Sequence, residues 1–171
     1  FPAARDIASA KPHVIVFGCT SAGALRGNDY DVWLLREIEQ RTGTPTVGVI
    51  KAVRKVLRAV SASNIVVVTP YMRELNERIK ASLESDNMNV LRIEGMGISA
   101  NLEIGQIACH RIVEFASQVV GDLEPDALFI SCTALPVLKI IDQVEKKIKK
   151  TVLSSNQTLI WDSIRSVGHT N

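Results

Sequence analysis

The sequence is poor in aromatic residues and in excess charge, and it lacks long apolar runs. Aromatic residues make up 5% of the 171 residues, so Val, Ile, Leu and Ala supply most of the apolar mass. That composition is typical of parallel strands that are buried on both faces. A formal net charge of +2 is too small to indicate a nucleic-acid partner. No apolar run approaches the length of a membrane-spanning helix, so no membrane partner is expected.

Cysteine and histidine are also scarce. The chain has three cysteines, an odd number that does not make the disulfide framework of a small secreted protein. A reducing cytoplasm is therefore the expected location, and the first residues carry no apolar signal-peptide core. The three histidines are scattered and match no usual spacing of metal ligands; they are His13, His110 and His169. No metal site is expected.

Two segments of the chain follow one pattern, and each ends in Cys-Thr. Residues 11–20 (KPHVIVFGCT) align without a gap with residues 124–133 (EPDALFISCT). Both read as a polar residue, a proline, an apolar strand, a small residue and the Cys-Thr pair. In open α/β sheets, ligands bind at the carboxyl ends of the strands. We therefore predict that Cys19 and Cys132 are catalytic thiols that face one small substrate from two similar lobes.

Strand-like and helix-like segments alternate along the chain. This alternation predicts an α/β fold with two pseudo-symmetric lobes, each a mainly parallel sheet flanked by helices, and an active site in the cleft between them. The first lobe is expected to comprise residues 1–62 and to be completed by a C-terminal helix over residues 155–171. Residues 63–154 would form the second lobe. One long helix is predicted over residues 102–119.

Polar groups near the ends of these strands are candidates for holding a substrate carboxylate. The residues that follow the two cysteine strands are expected to form turns. Free backbone N–H groups in such turns bind carboxylates and favour the thiolate form of a cysteine. Tyr71 follows another strand and offers a phenol, while Asn101 offers an amide, although a turn and a helix cap would explain these two residues as simply. The four candidates that follow the cysteines directly are Thr20, Ser21, Thr133 and Ala134.

Two further features have plain structural explanations. Cys109 lies within the predicted helix over residues 102–119, so we interpret it as a core residue. Residues 95–100 (GMGISA) fit the G-x-G-x-x-A fingerprint of dinucleotide sites. That fingerprint also needs an acidic residue about 20 residues further on, at the tip of the next strand. The next strand ends in Ser131 and Cys132 instead, so a nucleotide cofactor is not expected.

The motifs resemble the aspartate/glutamate racemase superfamily over essentially the whole chain. In chain order they are Gly18-Cys19-Thr20-Ser21, Thr69-Pro70-Tyr71, Ser99-Ala100-Asn101, Ser131-Cys132-Thr133 and Ser154-Ser155-Asn156-Gln157. They are most similar to the branch of maleate cis-trans isomerases and arylmalonate decarboxylases. The resemblance implies no cofactor, Cys19 and Cys132 as the catalytic pair, and Tyr71 and Asn101 as substrate contacts. It also implies an earlier strand, so we expect either a segment that precedes Phe1 or a shortened, inactive protein.

The presence of both cysteines favours an isomerase or a racemase, since decarboxylases that resemble this pattern keep only the second. The leading hypothesis is a cofactor-independent isomerase of a small dicarboxylate, maleate to fumarate, in which Cys19 adds to the double bond and Cys132 moves a proton. One alternative is a two-base racemase of aspartate, glutamate or a hydantoin. Another is a protein that binds a metabolite without catalysis. The expected partners are a small carboxylate and further copies of the chain, in a dimer or higher oligomer.

Overall fold

The computed structural model describes residues 1–169, in which helices and strands alternate. The strands are β1 (Ile15–Phe17), β2 (Thr46–Gly48), β3 (Asn64–Thr69), β4 (Asn89–Gly95), β5 (Ala127–Ile130) and β6 (Thr151–Ser154). The helices of the first half are α1 (Pro2–Ala8), α2 (Thr20–Arg26), α3 (Asn28–Thr42), α4 (Val49–Ala59) and α5 (Arg73–Glu84). Those of the second half are α6 (Asn101–Gly105), α7 (Cys109–Val120), α8 (Ile141–Ile148) and α9 (Ser155–Ser166), with a short 3-10 helix at Val137–Lys139. The predicted C-terminal helix over residues 155–171 ends at Ser166, and its residues 170 and 171 lie outside the described part.

The strands form two separate sheets, and every pairing is parallel. β1 pairs with β2, while the second sheet has the order β4-β3-β5-β6. Parallel neighbours need crossover connections, which the intervening helices supply. The predicted α/β fold of two lobes with parallel sheets and flanking helices is therefore confirmed. Among residues 1–169, no helix is both long enough and apolar enough to cross a membrane.

The core lies around the two central strands of the larger sheet. All four residues of β5 are buried, and so are five of the six residues of β3. Helices cover both faces of these strands, so each side chain is removed from water regardless of the face to which it points. Phe129 is the largest of the fully buried side chains. This burial on both faces accounts for the uninterrupted aliphatic runs in the sequence.

The two cysteine strands differ in their surroundings. β5 lies between β3 and β6, whereas β1 has β2 as its neighbour on one side. Val16 of β1 is 44% exposed, while Phe129, its counterpart in the aligned segment, is 1% exposed. The first sheet therefore presents an open edge beside β1 in the described residues.

The C-terminal helix packs against elements from the first half of the chain. α9 contacts α4 and β2, in addition to β6 from which it emerges. Lys55 Nζ of α4 donates to Asp162 Oδ1 of α9 at 2.5 Å, and the Asp162 side chain is almost fully buried. A buried carboxylate needs such a partner, because an unpaired buried charge is costly.

Two local predictions, one of a helix and one of a turn, were wrong. The single helix expected over residues 102–119 is split into α6 and α7, because glycine is a poor helix former and α6 ends at Gly105. Ala108 then adopts an extended conformation, so Cys109 becomes the first residue of α7 and is half-buried. The residues after Cys19 were expected to form a turn but form α2. Gly23 suits this helix because a Cβ there would lie 2.7 Å from Asp31 Oδ1 of α3.

Candidate active site

Both cysteines lie directly beyond the carboxyl end of a parallel strand. Cys19 follows β1 and Gly18, and it occupies the position before the first residue of α2. Cys132 follows β5 and Ser131. Cys132 is 5% exposed, whereas Cys19 is half-buried. The equivalent placement of the two thiols follows from the aligned segments, each of which runs from a strand into a Cys-Thr pair; the first pair leads into α2 and the second into a turn.

Hydrogen bonds join the two turns across the boundary between the sheets. Thr133 Oγ1 donates to the carbonyl oxygen of Gly18 at 2.9 Å. Thr20 Oγ1 lies 3.4 Å from Ser155 Oγ, and both hydroxyl groups are buried. The turn that carries Cys19 is therefore in contact with the turn that carries Cys132.

Tyr71 lies beside both cysteines. Its hydroxyl interacts with the Cys132 thiol and the Thr20 hydroxyl, and Cys19 lies near enough to contribute to the raised pKa of Tyr71. Burial raises the pKa of Tyr71 above its ordinary value, and the nearby Cys132 raises it further. The phenol therefore keeps its proton at neutral pH and can donate a hydrogen bond.

The position of Tyr71 is fixed by its own turn. The Tyr71 backbone N–H donates to Thr69 Oγ1 at 3.0 Å, and Thr69 Oγ1 in turn donates to Asn76 Oδ1 at 2.6 Å. Gly95, at the end of the adjacent β4, lies so close that a Cβ there would be 2.1 Å from the carbonyl oxygen of Tyr71. Glycine is thus required at this position for the turn to sit against the sheet.

Each sulfur atom has a polar neighbour. The backbone N–H of Ala134 donates to Cys132 Sγ at 3.4 Å, and Cys19 Sγ lies 3.5 Å from Ser21 Oγ. Cys132 has a φ of 133°, a conformation that costs a non-glycine residue about 1–3 kcal/mol. Donors near sulfur favour the thiolate, which is the reactive form of cysteine.

Sequence reasoning named Ser155 and Asn156 only as part of the Ser154-Ser155-Asn156-Gln157 motif and gave them no role in this cluster. Ser155 Oγ accepts a hydrogen bond of 3.0 Å from the backbone N–H of Cys132. Asn156 Nδ2 donates to the carbonyl oxygen of Thr133 at 3.0 Å. The available signal was their place after β6, at the same edge of the sheet as Cys132. The prediction that a helix begins here is confirmed, since Ser154 Oγ caps α9 by accepting from the Gln157 N–H.

Most of the predicted site residues lie together in the structure, but Asn101 lies apart from them. Thr20, Ser21, Tyr71, Thr133 and Ala134 all contribute to the cluster around the two cysteines. Asn101 is exposed as the first residue of α6, and the hydrogen bonds described for residues 1–169 do not involve its side chain.

The structure also shows how the possible metal ligands and the GMGISA segment are arranged. Within residues 1–169, no three His, Cys, Asp or Glu side chains are grouped as metal ligands would be. The GMGISA segment leads into α6, a helix of five residues, rather than into the longer helix that a dinucleotide fingerprint requires. The cluster instead offers thiols, hydroxyls and backbone N–H groups, which suit acid–base and nucleophilic chemistry on a carboxylate.

Comparisons with known proteins agree with this geometry. A family model described as arylmalonate decarboxylase matches residues 1–171. The arylmalonate decarboxylase of Bordetella bronchiseptica is 25% identical over 150 residues, which cover 87% of this chain and 62% of that protein. The maleate isomerase of Nocardia farcinica is 28% identical over 169 residues, which cover 95% of this chain and 66% of that protein. The chain thus spans slightly less than two thirds of the length of these two relatives.

Solved structures share the fold over nearly the whole chain. The Nocardia farcinica maleate cis-trans isomerase bound to TRIS matches with a TM-score of 0.90 and 26% identity, covering 96% of this chain and 69% of that one. A mutant of that isomerase with a covalently bound succinylcysteine intermediate matches with a TM-score of 0.88 and 27% identity, at the same coverage. An arylmalonate decarboxylase structure has a TM-score of 0.90 at 24% identity, covering 98% of this chain and 74% of that one. The two-lobed parallel fold, the paired Cys-Thr turns and the full-length family match lead to one conclusion: the chain belongs to the arylmalonate decarboxylase family.

Proposed function

We propose that the protein is a cofactor-independent, cysteine-dependent isomerase of a small dicarboxylate, and that it converts maleate to fumarate. The observation that carries this proposal is the meeting of the Cys19 and Cys132 turns at Tyr71. Two thiols that lie near one buried phenol can act on neighbouring carbons of one small molecule. The similarity to maleate isomerases over 95% of the chain supports the same reaction.

In the proposed reaction, Cys19 adds to the double bond as a thiolate. A carbon–sulfur bond forms, the π electrons move to the neighbouring carbon, and that carbon takes the proton of Cys132. The two central carbons are then joined by a single bond, about which the molecule rotates. Cys132 takes the proton back, the double bond re-forms, and the carbon–sulfur bond breaks to return the Cys19 thiolate. A succinyl group on cysteine, as in the isomerase mutant with a covalently bound succinylcysteine intermediate, is the product of adding a thiolate and a proton to maleate.

The polar groups around the thiols support these roles. After proton transfer Cys132 carries a negative charge, which the Ala134 N–H and the neutral Tyr71 phenol stabilise by donating toward the sulfur. We assign Thr20, Ser21 and Thr133 to the substrate carboxylates through their backbone N–H groups, because the Thr133 hydroxyl already donates to the Gly18 carbonyl oxygen. We also keep Asn101 as a carboxylate contact, which requires the exposed loop before α6 to approach the bound substrate.

The lobe boundaries form part of the same proposal. We assign residues 1–62 to the first lobe and residues 63–154 to the second. The C-terminal helix α9 completes the first lobe, which its packing against α4 and β2 supports. The cleft between the lobes would then contain Cys19 from one side and Cys132 from the other.

We further propose that the enzyme works in the cytoplasm as a homo-oligomer of two or more chains. The three cysteines are free thiols, which suits a reducing compartment. Two-fold symmetric dimers are the commonest of soluble homo-oligomers. Size-exclusion chromatography coupled to light scattering would measure the oligomer directly.

The test of the proposed reaction is incubation of the purified full-length protein with maleate under reducing conditions, followed by proton NMR. Formation of fumarate is the expected result. Aspartate, glutamate and hydantoins in deuterium oxide form the parallel assay, because a racemase exchanges their α-hydrogen for deuterium. Deuterium exchange at the α-carbon without formation of fumarate would reject the isomerase proposal in favour of a racemase. If the protein binds a dicarboxylate but catalyses neither reaction, the alternative of a non-catalytic metabolite-binding protein is supported.

A further inference from the structure

Ser155 connects Cys132 to the opposite turn without being a candidate for substrate contact. The residue is 0% exposed and begins α9 directly after β6. Its Oγ accepts the N–H of Cys132 at 3.0 Å and lies 3.4 Å from Thr20 Oγ1. One hydroxyl group thus touches the backbone of one cysteine and the residue next to the other cysteine.

These contacts are part of a closed set of hydrogen-bonding groups, which we name the Cys132 network. It consists of Cys132, Ser155, Thr20 and Tyr71. Ser155 joins the Cys132 N–H to the Thr20 hydroxyl, and the Tyr71 hydroxyl lies within reach of both Thr20 and the Cys132 thiol. The network therefore begins at the backbone of Cys132 and returns to its sulfur.

The direction in which the hydroxyl groups of the network donate determines whether the Cys132 sulfur receives a hydrogen bond from Tyr71. Each hydroxyl group has one hydrogen to donate. If Ser155 donates to Thr20, then Thr20 donates to the Tyr71 oxygen, and Tyr71 keeps its own hydrogen for the Cys132 sulfur. In the reverse direction Tyr71 donates to Thr20 and the sulfur loses that donor. A negative charge on Cys132 selects the first direction.

Ser155 also holds the backbone conformation that presents the sulfur. Cys132 has a φ of 133°, which L-residues rarely adopt. Its N–H would be left without a partner in a buried turn if the Ser155 hydroxyl were absent. The same conformation places Sγ 3.4 Å from the Ala134 N–H. Loss of the Ser155 contact would therefore weaken two donors to the sulfur, the Tyr71 phenol and the Ala134 N–H.

We propose that Ser155 is a positioning residue that orients the Cys132 network so that Tyr71 and the Ala134 N–H both donate to the Cys132 sulfur. In the proposed isomerase, on which this role rests, Ser155 makes Cys132 a better proton donor without touching the substrate. The titratable groups near this site are Tyr71, which follows β3 and interacts with Cys132, and Cys19, which follows β1 and interacts with Tyr71. In the described part of the chain, no salt bridge involves a residue of the network.

The test measures the titration of each thiol rather than turnover. Protein labelled with ¹³C at cysteine Cβ is titrated by NMR, with the three signals assigned from single Cys→Ser variants. Ser155→Ala should move the Cys132 midpoint upward by about one pH unit, the shift that matches loss of one hydrogen bond to a charged group. Ser155→Thr retains the hydroxyl and should restore the wild-type midpoint. An unchanged midpoint in a folded Ser155→Ala protein would overturn the proposal.

Ser131→Ala is the matched control. Ser131 precedes Cys132, is 0% exposed, and its hydroxyl has no hydrogen-bond partner among the described residues. The control should leave the Cys132 midpoint unchanged, and an equal shift there would show a general effect of perturbing the turn. If Ser155→Ala does not fold, Thr20→Val breaks the same network from the first lobe. An upward shift in that variant supports the proposal, and an unchanged midpoint overturns it.

The titration separates this role from the proposed reaction. If the Cys132 midpoint shifts in Ser155→Ala but the wild-type protein does not isomerise maleate, the role of Ser155 is supported and the proposed reaction is rejected. If maleate is isomerised, Ser155→Ala should lower kcat by about tenfold, the factor that corresponds to one pH unit, with little change in KM. A change confined to KM would instead place Ser155 in substrate binding and contradict the positioning role.

Discussion

The Thr133 hydroxyl donates a hydrogen bond of 2.9 Å to the carbonyl oxygen of Gly18, which joins the two turns that carry the cysteines. This bond runs between strands that belong to different sheets. It sets the separation of Cys19 and Cys132, because each residue of the pair is covalently next to one of the cysteines. The distance between the thiols therefore depends on contacts between the lobes as well as on either lobe alone.

Thr133→Val tests this relationship, since valine has nearly the same shape but no hydroxyl group. We expect a loss of about 0.5–1.5 kcal/mol in the free energy of unfolding, the usual net value of one hydrogen bond. We also expect slower isomerisation of maleate because the thiols are less firmly placed. Urea denaturation and steady-state kinetics measure the two effects. Thr133→Ser keeps the hydroxyl and should remain close to wild type; equal losses in both variants would contradict this reading.

The two active-site cysteines should respond differently to substitution. Cys19→Ala should abolish isomerisation because it removes the nucleophile. Cys132→Ala should slow isomerisation by about 10²–10⁴-fold, the usual contribution of a general acid–base group. Cys109→Ala is the control and should retain wild-type turnover, since Cys109 begins α7 outside the cluster. Proton NMR of the maleate to fumarate conversion measures all three; full activity in Cys19→Ala would exclude the proposed addition step.

Alkylation distinguishes the thiols without relying on turnover. Iodoacetamide near neutral pH should modify Cys19 or Cys132 before Cys109, because thiol reactivity follows thiolate character. Cys19 should be modified faster than Cys132, since it is half-buried while Cys132 is 5% exposed. Maleate should protect both. Peptide mapping by mass spectrometry gives the order, and fastest modification of Cys109 would contradict the assignment of the reactive pair.

The cysteine strands and the parallel sheets could be predicted because each depends on a short local pattern. A short apolar run predicts a strand that is buried on both faces, and this prediction needs no knowledge of the rest of the fold. The repeated Cys-Thr ending marks the carboxyl end of two such strands. The Thr69-Pro70-Tyr71 turn was found for the same reason. The nearness of Tyr71 to Cys132 follows from the sheet order, in which β3 pairs directly with β5.

Three other features could not be predicted from the local pattern of apolar residues. The contact between Ser155 and Cys132 joins residues 23 positions apart through the arrangement of β5 and β6. The helix α2 contradicts the turn preference of its small polar residues, because Gly23 packs against Asp31 and Ile50 of other elements. The split between α6 and α7 likewise follows a break at Gly105 that hydrophobic periodicity does not reveal. In each case a tertiary contact or a backbone preference overrides the pattern of apolar residues.

Gly95 should be intolerant of any side chain. Gly95→Ala would place a Cβ 2.1 Å from the Tyr71 carbonyl oxygen and 2.4 Å from Asn76 Nδ2, so the Tyr71 turn would have to move. We expect a loss of about 1–3 kcal/mol in the free energy of unfolding, as for other overpacked sites, together with lower activity. Gly105→Ala is the matched control, because its Cβ would meet its nearest atom at 3.9 Å. Urea denaturation should show a loss in the first variant and none in the second.

Asp126 should stabilise the fold in a pH-dependent way. The carboxylate accepts the backbone N–H groups of Ser63 at 2.9 Å and Asn64 at 2.7 Å, and the bond from Asn64 lowers the pKa of Asp126 most. A carboxyl group with a lowered pKa in the folded state contributes stability that is fully present above its ordinary value of 3.8. That contribution is lost as the pH falls through the folded-state pKa.

Asp126→Asn should therefore unfold at a lower urea concentration than wild type at pH 7, and the difference should disappear as the pH falls below 3.8. Asparagine keeps an acceptor oxygen for the two N–H groups, so the substitution isolates the effect of charge. Asp122→Asn is the matched control, since the structure of residues 1–169 describes no hydrogen bond or ion pair for the exposed Asp122 side chain. Urea denaturation of the three proteins across this pH range measures the effect. A difference between Asp126→Asn and wild type that stays constant with pH would show that the carboxylate charge does not hold this turn.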